Sequence, residues 1–504
     1  MVNFFKYLLL SALAVLLMQI WACAEKGGPK PDEVEVHLGV DPSNLSFESA
    51  GGVQELAISS NAIWKLEYPS GSWARASLQS TKGDATVQIT VDKNETTERR
   101  QMDFTLTAQG AQSITLSISQ EAAEGTTTSE EPELEDFIDP DNTGMRSMTS
   151  LELSQEMGLG WNLGNSMEAI LANNGELSGG ETSWGNPVVT KQLIDAVKAA
   201  GFNTIRIPVS WSHKMQNAET FDISYEWKLR VEEVVNYALD NDMYVLINIH
   251  WDGGWMDAPT YENQDYINNR LAVMWKQIAK FFRNYDDHLL FAGSNEVHVA
   301  GDYGEPSSEH AEVQNSFNQT FVNTVRATGG RNSFRHLLVQ TFNTNIGYGV
   351  RHFSFPEDEV ADRLMVEVHF YDPYQFALEE NGSTYLWGVE NSGNAAHSGW
   401  GDQDWVDEAF GDVKTHFVSK GYPVIMGEYG AILRTSLPSP AYEQHVESRN
   451  AYLAYVTSAA VSNGMIPVYW DNGYTGNNGF GLFNRNNGEV VDEDALQAII
   501  SANR

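Results

Sequence analysis

Short apolar runs alternate with longer amphipathic stretches over the C-terminal two-thirds of the chain. The short runs have the composition of strands buried on both faces, and the longer stretches repeat their apolar residues with the period of an α-helix. Beginning with GLGWNLGN at 158–165, there are eight strand-like runs, and the others are NTIRIPVSW, YVLINIHW, HLLFAGSNE, RHLLVQTFN, RLMVEVHFYD, YPVIMGEYG and MIPVYWDNG. Eight βα units predict an α/β domain, a (β/α)8 TIM barrel, over residues 144–504.

Residues 35–121 follow a different pattern. Apolar and polar residues alternate there over short runs, and Gly, Asn, Asp and Ser separate the runs, which are VEVHLGV, QELAISS, ATVQITV, RQMDFTLTA and SITLSISQ. Alternation with a period of two indicates strands that have one buried face. The pattern predicts a small antiparallel all-β sandwich of immunoglobulin-like type before the barrel.

Two polar segments flank this predicted sandwich. Residues 23–34 are rich in Gly and Pro and are predicted to be a tether, and residues 122–143 are acidic with no basic residue. A segment with so few apolar side chains cannot bury enough surface to order itself, so we expect 122–143 to be an extended linker.

The first 22 residues have one lysine followed by a long apolar stretch, which is typical of a secretory signal peptide. The sequence Ile20-Trp21-Ala22-Cys23 resembles the lipobox of bacterial lipoproteins, in which the cysteine is acylated. We therefore expect a lipid anchor at Cys23 and a cell-surface lipoprotein of the outer membrane. An uncleaved membrane anchor is the alternative. Cys23 is the only cysteine, so no intramolecular disulfide can form.

The net charge of −37 disfavours nucleic acid and anionic membrane surfaces as partners. Fourteen Trp and twenty Tyr residues suit a neutral ligand with flat apolar faces, such as a sugar, although many of them will form core. The chain has no dinucleotide or P-loop glycine motif and no zincin or serine-hydrolase motif, so no cofactor is predicted. We expect a monomer.

The carboxyl ends of the strands in a TIM barrel converge on one site. Arg206, His250, Glu296 and Gln340 are separated by 44, 46 and 44 residues, close to one βα unit each. We therefore expect the strand-end residues to face one another, and these are Asn162, Asn165, Arg206, His250, Trp251, Asp252, Asn295, Glu296, Gln340, His369, Tyr371, Glu428, Tyr429, Trp470 and Asp471.

Glu296 and Glu428 each end an apolar strand. Either alone could cap a helix or pair with an arginine, but two carboxylates across one mouth are what cleavage of a glycosidic bond requires. Metal catalysis through His250 and His369 is a competing hypothesis, disfavoured because the first strand has no H-x-H motif. We therefore predict no metal. Trp470 is expected to be a sugar platform rather than core.

At these positions the sequence resembles glycoside hydrolase family 5, whose members are retaining barrel enzymes. The motifs that carry the resemblance occur in the family's strand order between residues 158 and 474, and they are GWNLGNSMEA, IRIPVSW, INIHWDGGW, GSNEV, EVHFYDPY, IMGEYG and VYWDNG. The sandwich region resembles the BACON domain of gut Bacteroidetes enzymes through Trp64, Trp73, TVQITVDKN, Arg99, Arg100 and SISQ. Sugar binding and a spacer role are both open for it, and we favour the spacer.

The family resemblance implies that Glu296 is the general acid/base and Glu428 the nucleophile. It implies carboxyl groups about 5 Å apart and a pKa of Glu296 above that of Glu428, with Arg206 beside the nucleophile. The implied substrate-binding residues are Arg206, His250, Asn295, His369, Tyr371 and Trp470, and the further candidates are Asn165, Trp251 and Trp255. Many relatives have a second histidine where this chain has Trp251, so that role does not transfer.

The resemblance implies a retaining endo-β-1,4-glucanase acting on xyloglucan, cellulose-type or mixed-linkage β-glucan by double displacement. Two alternatives stay open. A mannanase or xylanase of the same fold would use the same strand-end residues, and loops would decide between these substrates. A non-catalytic surface glycan-binding lipoprotein is disfavoured because both glutamates are present.

Overall fold

The computed structural model describes residues 36–69, 73–96, 99–122, 131–173 and 175–502, and the chain forms two compact units, Met1–Glu130 and Glu131–Arg504. The predicted signal peptide, Cys23 and the tether lie outside the described residues. Among the residues that are described, no helix is long and apolar enough to cross a membrane.

The first unit is a sandwich of two sheets around its own core. Its strands are β1 (Leu38–Asp41), β2 (Asn44–Phe47), β3 (Gly52–Ser60), β4 (Ile63–Glu67), β5 (Ala74–Ala76), β6 (Ser80–Lys82), β7 (Ala85–Val91), β8 (Arg100–Ala108) and β9 (Ile114–Gln120). One sheet has the order β1-β3-β7-β5 and the other β2-β9-β8-β4-β6. The pairing is antiparallel as predicted, except that β2 runs parallel to β9.

The two tryptophans of the sandwich are both engaged within it. Trp64 is fully buried, and its Nε1 donates to the backbone oxygen of Gly83 over 2.9 Å. Trp73 is partly buried, with the guanidinium of Arg100 4.5 Å from its ring centroid. Trp64 is therefore a core residue, and a cation covers part of Trp73.

The second unit is a closed barrel, which confirms the predicted fold. Its strands are β10 (Gly160–Asn162), β11 (Ile170–Asn173), β12 (Glu176–Gly179), β13 (Thr204–Ile207), β14 (Met215–Asn217), β15 (Asp222–Ile223), β16 (Tyr244–Asn248), β17 (Leu289–Ala292), β18 (Leu337–Gln340), β19 (Leu364–Phe370), β20 (Val424–Tyr429) and β21 (Met465–Tyr469). The pairs β11–β12 and β14–β15 are small hairpins in the loops. The other eight strands form the barrel in chain order, all parallel, and β21 closes it against β10.

Ten helices accompany the described barrel strands. They are α1 (Ser150–Met157), α2 (Lys191–Ala199), α3 (Tyr225–Leu239), α4 (Tyr261–Phe281), α5 (Ser308–Arg326), α6 (Ile346–His352), α7 (Tyr374–Ala377), α8 (Gln403–His416), α9 (Ala441–Ser462) and α10 (Glu493–Ser501). A capping box of Thr149 and Glu152 begins α1. Leu153 and Met157 of α1 belong to the same buried cluster as the inward-facing strand residues, so this helix plugs the amino-terminal end of the barrel.

Strand alternation decides which residues enter the barrel. Leu246, Leu338 and Met365 are buried in the interior, while their chain neighbours pack outward against the helices. A side chain two residues further along a strand lies on the same face, one layer higher. The same alternation therefore carries polar side chains into the top layer of the barrel.

The second half of the predicted acidic linker lies against the barrel. Glu131 pairs with the buried Lys228, and Asp136 bridges Lys276 and Lys280 at 2.6 and 2.9 Å. Ile138 N donates to a backbone oxygen beside α5 over 3.3 Å. The prediction of an extended linker was wrong for these residues, because their acidic side chains pair with lysines on α3 and α4, which composition alone does not reveal. Residues 131–143 therefore belong to the barrel unit.

Candidate active site

Arg206 lies at the centre of the barrel mouth. It follows Thr204 on the inward face of β13 and is fully buried. Its Nη1 donates to Glu428 Oε1 over 2.9 Å and to Asn162 Oδ1 over 3.0 Å, and its Nη2 donates to Asn295 Oδ1. Its Nε lies 2.9 Å from Glu367 Oε1. One cation thus organises residues from five strands or their ends.

Glu428 reaches the interior because of a β-bulge. The register between β19 and β20 shifts after Met426, so that His369 pairs with Glu428 and Gly427 is the extra residue. Without the bulge, alternation would turn Glu428 toward the helices. A Cβ on Gly427 would lie 2.2 Å from Glu367 Oε1, so only glycine fits there. Tyr429 points outward, and its hydroxyl bonds with Thr457 in α9.

Glu296 lies on the opposite side of the mouth, just beyond β17. Its backbone adopts a left-handed conformation, with φ of 46°. The Nδ1 of His369 is 2.6 Å from Glu296 Oε1 and 3.7 Å from Glu428 Oε2. The Glu296 side chain is 39 % exposed, whereas Glu428 is buried. Glu296 is therefore the carboxyl that an incoming ligand can approach from solvent.

A carboxylate oxygen of Glu296, a ring nitrogen of His369 and a carboxylate oxygen of Glu428 all lie within 4.8 Å of one another. Carboxyl groups about 5 Å apart leave no room for a water molecule between a sugar and the second carboxylate, whereas about 6.5–9.5 Å would. The separation agrees with the spacing that the sequence resemblance implies. It suits direct attack of one carboxylate on the sugar.

The charges at the mouth set the pKa values of these groups. Burial acts to lower the pKa of His369, but the nearby Glu428 and Glu296 carboxylates raise it to about 9. Burial raises the pKa of Glu428 against the opposing charges of His369 and Arg206. Burial acts most strongly to raise the pKa of Glu296, but the hydrogen bond from His369 together with the charges of His369 and Arg206 outweighs it and leaves that pKa lowered.

The resemblance implies that the pKa of Glu296 lies above that of Glu428. The structure gives the opposite directions, because the pKa of Glu296 is lowered and that of Glu428 is raised. The reason is His369, which in the free protein holds the proton that an acid catalyst needs and shares it with Glu296 across 2.6 Å. Groups coupled so closely titrate as a unit, so the proton belongs to the Glu296–His369 pair.

His250 and Trp470 stack on each other and form one wall of the barrel mouth. Their rings are nearly parallel, with centroids 6.1 Å apart and 5° between the planes. Burial, with the charges of Arg206 and His369, lowers the pKa of His250 well below its usual value, so the ring is neutral. Asn248 Nδ2 lies 3.3 Å from His250 Nδ1, which leaves the other ring nitrogen as the donor.

Tyr371 and Asn165 take different positions around this wall. The Tyr371 hydroxyl donates to Glu428 Oε2 over 3.1 Å, as the resemblance implies. Asn165 occupies a left-handed turn, with φ of 57°, beside Gly164, where a Cβ would lie 2.9 Å from the Trp470 ring. Asn165 is thus held next to the platform by its backbone.

The two tryptophans after β16 differ from each other. Trp251 is 39 % exposed and lines a cavity of about 360 Å³ together with His250, Asn295 and Glu296. Trp255 packs on the core, donates to Asp252 Oδ2 over 2.8 Å and lies 4.5 Å beneath the guanidinium of Arg270. Trp251 is therefore accessible to a ligand, whereas Trp255 is a packing residue. Of these two candidates for sugar binding, only Trp251 lines the cavity.

Two buried carboxylates at the site were not singled out from the sequence. Glu367 is fully buried and accepts from Gln340 Nε2 over 2.7 Å, in addition to its contacts with Arg206 and His369. Glu168 accepts from the backbone nitrogens of Asn165 and Ser166 and holds that turn. Burial raises the pKa of Glu168 to about 7. A charged residue inside the apolar run LMVEVHF was the available signal for Glu367.

Comparisons with known proteins agree with this geometry. Residues 167–476 match the model of the family described as cellulase (glycosyl hydrolase family 5). The chain is 41 % identical over 495 residues to a xyloglucan-specific endo-beta-1,4-glucanase of Bacteroides ovatus, covering 97 % of this chain and 95 % of that protein. It is 41 % identical over 372 residues to endoglucanase A of Paenibacillus barcinonensis, covering 71 % and 90 %.

Among solved structures, the Bacteroides ovatus family 5 xyloglucanase in complex with a XXXG heptasaccharide superposes with a TM-score of 0.71 at 41 % identity, covering 93 % of this chain and 99 % of that one. A matching family model over more than half the chain, a relative similar along nearly the full length, and paired carboxylates at the mouth of a closed barrel agree with one another. The chain is a glycoside hydrolase and belongs to glycosyl hydrolase family 5.

Proposed function

We propose that this protein is a retaining endo-β-1,4-glucanase and that xyloglucan is its main substrate. The observation that carries the proposal is the approach of Glu296 and Glu428 oxygens to within 4.8 Å across a solvent-accessible mouth. The xyloglucan assignment is supported by the xyloglucan-specific endo-beta-1,4-glucanase of Bacteroides ovatus, to which nearly the whole chain is similar.

In the first step, an oxygen of Glu428 attacks the anomeric carbon of the sugar on Trp470. The bond between that carbon and the leaving oxygen breaks, and the leaving oxygen takes a proton from Glu296. Arg206 and Tyr371 each bond to a different oxygen of Glu428, which orients the carboxylate for attack. His369 and Glu296 share this proton across their short hydrogen bond before the step, and once the leaving oxygen has taken it Glu296 is a free carboxylate.

In the second step, Glu296 takes a proton from a water molecule whose oxygen attacks the same carbon. The ester bond to Glu428 breaks, and the sugar leaves with its original anomeric configuration. Forming the ester removes the negative charge of Glu428, which lies 3.7 Å from His369 Nδ1. When the ester breaks, this negative charge returns to Glu428 and the proton taken from water stays on Glu296, so both glutamates regain their starting forms.

Reducing-sugar release from xyloglucan, mixed-linkage β-glucan, carboxymethylcellulose, mannan and xylan tests the proposal. Wild type should act best on xyloglucan, and Glu428→Ala should lose activity on every substrate. Higher activity on mannan or xylan would reject the glucanase assignment. Equal activity in wild type and Glu428→Ala would reject the nucleophile.

We further propose that the protein is a lipoprotein on the outer cell surface, anchored through Cys23, and that residues 35–121 are a BACON-type spacer. The lipobox-like sequence supports the anchor, and the engagement of Trp64 and Trp73 within the sandwich supports the spacer. Fatty-acid labelling that persists in Cys23→Ala would contradict the anchor. If the full chain retained insoluble glucan better than residues 131–504 alone, the sandwich would have a binding role.

A further inference from the structure

Aromatic side chains form a row that begins beside Glu296. The Nδ1 of His298 lies 2.7 Å from the backbone oxygen of Glu296, and its ring stacks on Tyr303 with centroids 4.7 Å apart. The hydroxyl of Tyr348 donates to the backbone oxygen of Tyr303 over 3.2 Å. The loops that follow β17 and β18 are therefore joined beside Glu296.

Two further aromatic residues, Trp400 and Trp405, lie in the segment after β19. Asp372 accepts a hydrogen bond from Trp405 Nε1 over 3.0 Å. Since Asp372 directly follows Tyr371, which bonds to Glu428, Trp405 is connected to the reacting centre by one short segment of chain.

Trp405 and its neighbour Trp400 are exposed to solvent, and each indole Nε1 donates a hydrogen bond to a side chain of the protein. They are 41 % and 37 % exposed, and their rings meet edge to face with centroids 5.5 Å apart. Trp400 Nε1 donates to Gln375 Oε1 over 3.2 Å. With the polar edges bonded within the protein, apolar ring surface remains open to solvent. Such surface at the rim of a cleft suits the flat carbon faces of a sugar.

The position of Trp400 and Trp405 around the barrel indicates whether they would contact the retained or the departing part of the substrate. In the proposed mechanism the sugar that stays on the enzyme is bonded to Glu428, in β20, and lies on Trp470, which follows β21. The departing sugar leaves on the side of Glu296. The row of aromatic residues follows the loops after β17, β18 and β19, which is the Glu296 side.

We propose that Trp400 and Trp405 form a binding site for a sugar of the departing portion of a β-1,4-glucan chain, beyond the bond that is cleaved. This inference rests on the proposed endo-glucanase function and identifies residues that would bind the leaving half of the substrate. An endo-acting enzyme gains rate from such contacts, because binding energy remote from the bond helps to orient it.

The test compares a substrate that has sugars on the departing side of the cleaved bond with one that has none there. Cellohexaose places sugars on both sides of the cleaved bond, whereas 2-chloro-4-nitrophenyl β-cellotrioside has no sugar on the departing side. We expect Trp400→Ala and Trp405→Ala to lower kcat/KM for cellohexaose by roughly five- to tenfold, as expected for losing a stacked aromatic contact, and to leave the aryl substrate within about twofold. Trp405→Phe should recover part of the loss because the ring remains.

The aryl substrate reports whether the catalytic groups of each variant are intact. Tyr266→Ala removes an exposed ring on α4, outside the row, and should change kcat/KM for neither substrate. Equal losses on both substrates would overturn the inference, since the residues would then act on the retained sugar or on folding, and so would unchanged kinetics on both. A wild type inactive on both substrates and also on xyloglucan would instead reject the proposed function.

Discussion

Replacing Glu367 by glutamine tests the charge arrangement at the barrel mouth. Three carboxylates, Glu296, Glu367 and Glu428, face two cations, Arg206 and His369. Glu367 is fully buried and does not touch substrate in the proposed mechanism. Glutamine keeps the shape but removes the charge. The NH2 group of the new glutamine must face either a cation or Gln340 Nε2, which donates a hydrogen bond to Glu367 in wild type. Either arrangement places two donors against each other.

Two consequences can be estimated. Removing one partner of a buried ion pair costs about 3–5 kcal/mol, so the barrel should unfold at a lower temperature. Arg206 loses the negative charge that lies 2.9 Å from its Nε, and a displacement of about 1 Å at a catalytic group can cost about 100-fold in rate, so kcat should fall markedly. Loss of the Glu367 charge should also lower the pKa of His369 from about 9, by roughly one unit.

The pH dependence separates these effects. In wild type the pKa of His369 is raised from 6.5 to about 9, so its protonation stabilises the fold fully below pH 6.5 and this contribution is lost as pH rises toward about 9. The alkaline limb of kcat/KM should follow the same proton. In Glu367→Gln we expect both the loss of stability and the alkaline limb at lower pH than in wild type.

A matched variant controls for general damage. Asp358 makes a buried two-point ion pair with Arg326 at the end of α5, away from the mouth. Asp358→Asn should lower the unfolding temperature while leaving the alkaline limb in place. An alkaline limb that is the same in wild type and Glu367→Gln would refute the reasoning, because His369 would not then sense the Glu367 charge.

Three further predictions concern single features. Gly427→Ala puts a Cβ 2.2 Å from Glu367 Oε1, so kcat should fall roughly 100-fold while circular dichroism shows a folded barrel; normal kcat would contradict the role of the bulge. A chain starting at residue 144 loses Glu131 and leaves Lys228 buried without this partner, so it should unfold at lower temperature than one starting at 131, and Lys228→Met should narrow the difference. Trp470→Ala should raise KM for glucan, whereas Trp255→Ala should mainly lower the unfolding temperature. The opposite pattern would mean that Trp255 binds the sugar and that Trp470 stabilises the fold.

The sequence by itself determined the barrel and most of its mouth. Eight continuous apolar runs between amphipathic helices allow few other architectures, because parallel strands need cover on both faces. Residues at the ends of such strands must converge, which is why Arg206, His250, Glu296 and Glu428 could be grouped without coordinates. The motif order then identified the family.

Only the tertiary structure decided features that depend on side chains meeting across the barrel. The bulge at Gly427 changes the direction of one residue, and no local pattern encodes it, because the Glu367 carboxylate that fills the space comes from another strand. The proton held by His369 likewise arises from two carboxylates distant in sequence. Trp251 and Trp255 have similar sequence surroundings, yet Arg270 packs over only the second. Electrostatic and steric effects of this kind act through space, so they become readable once the fold has brought the partners together.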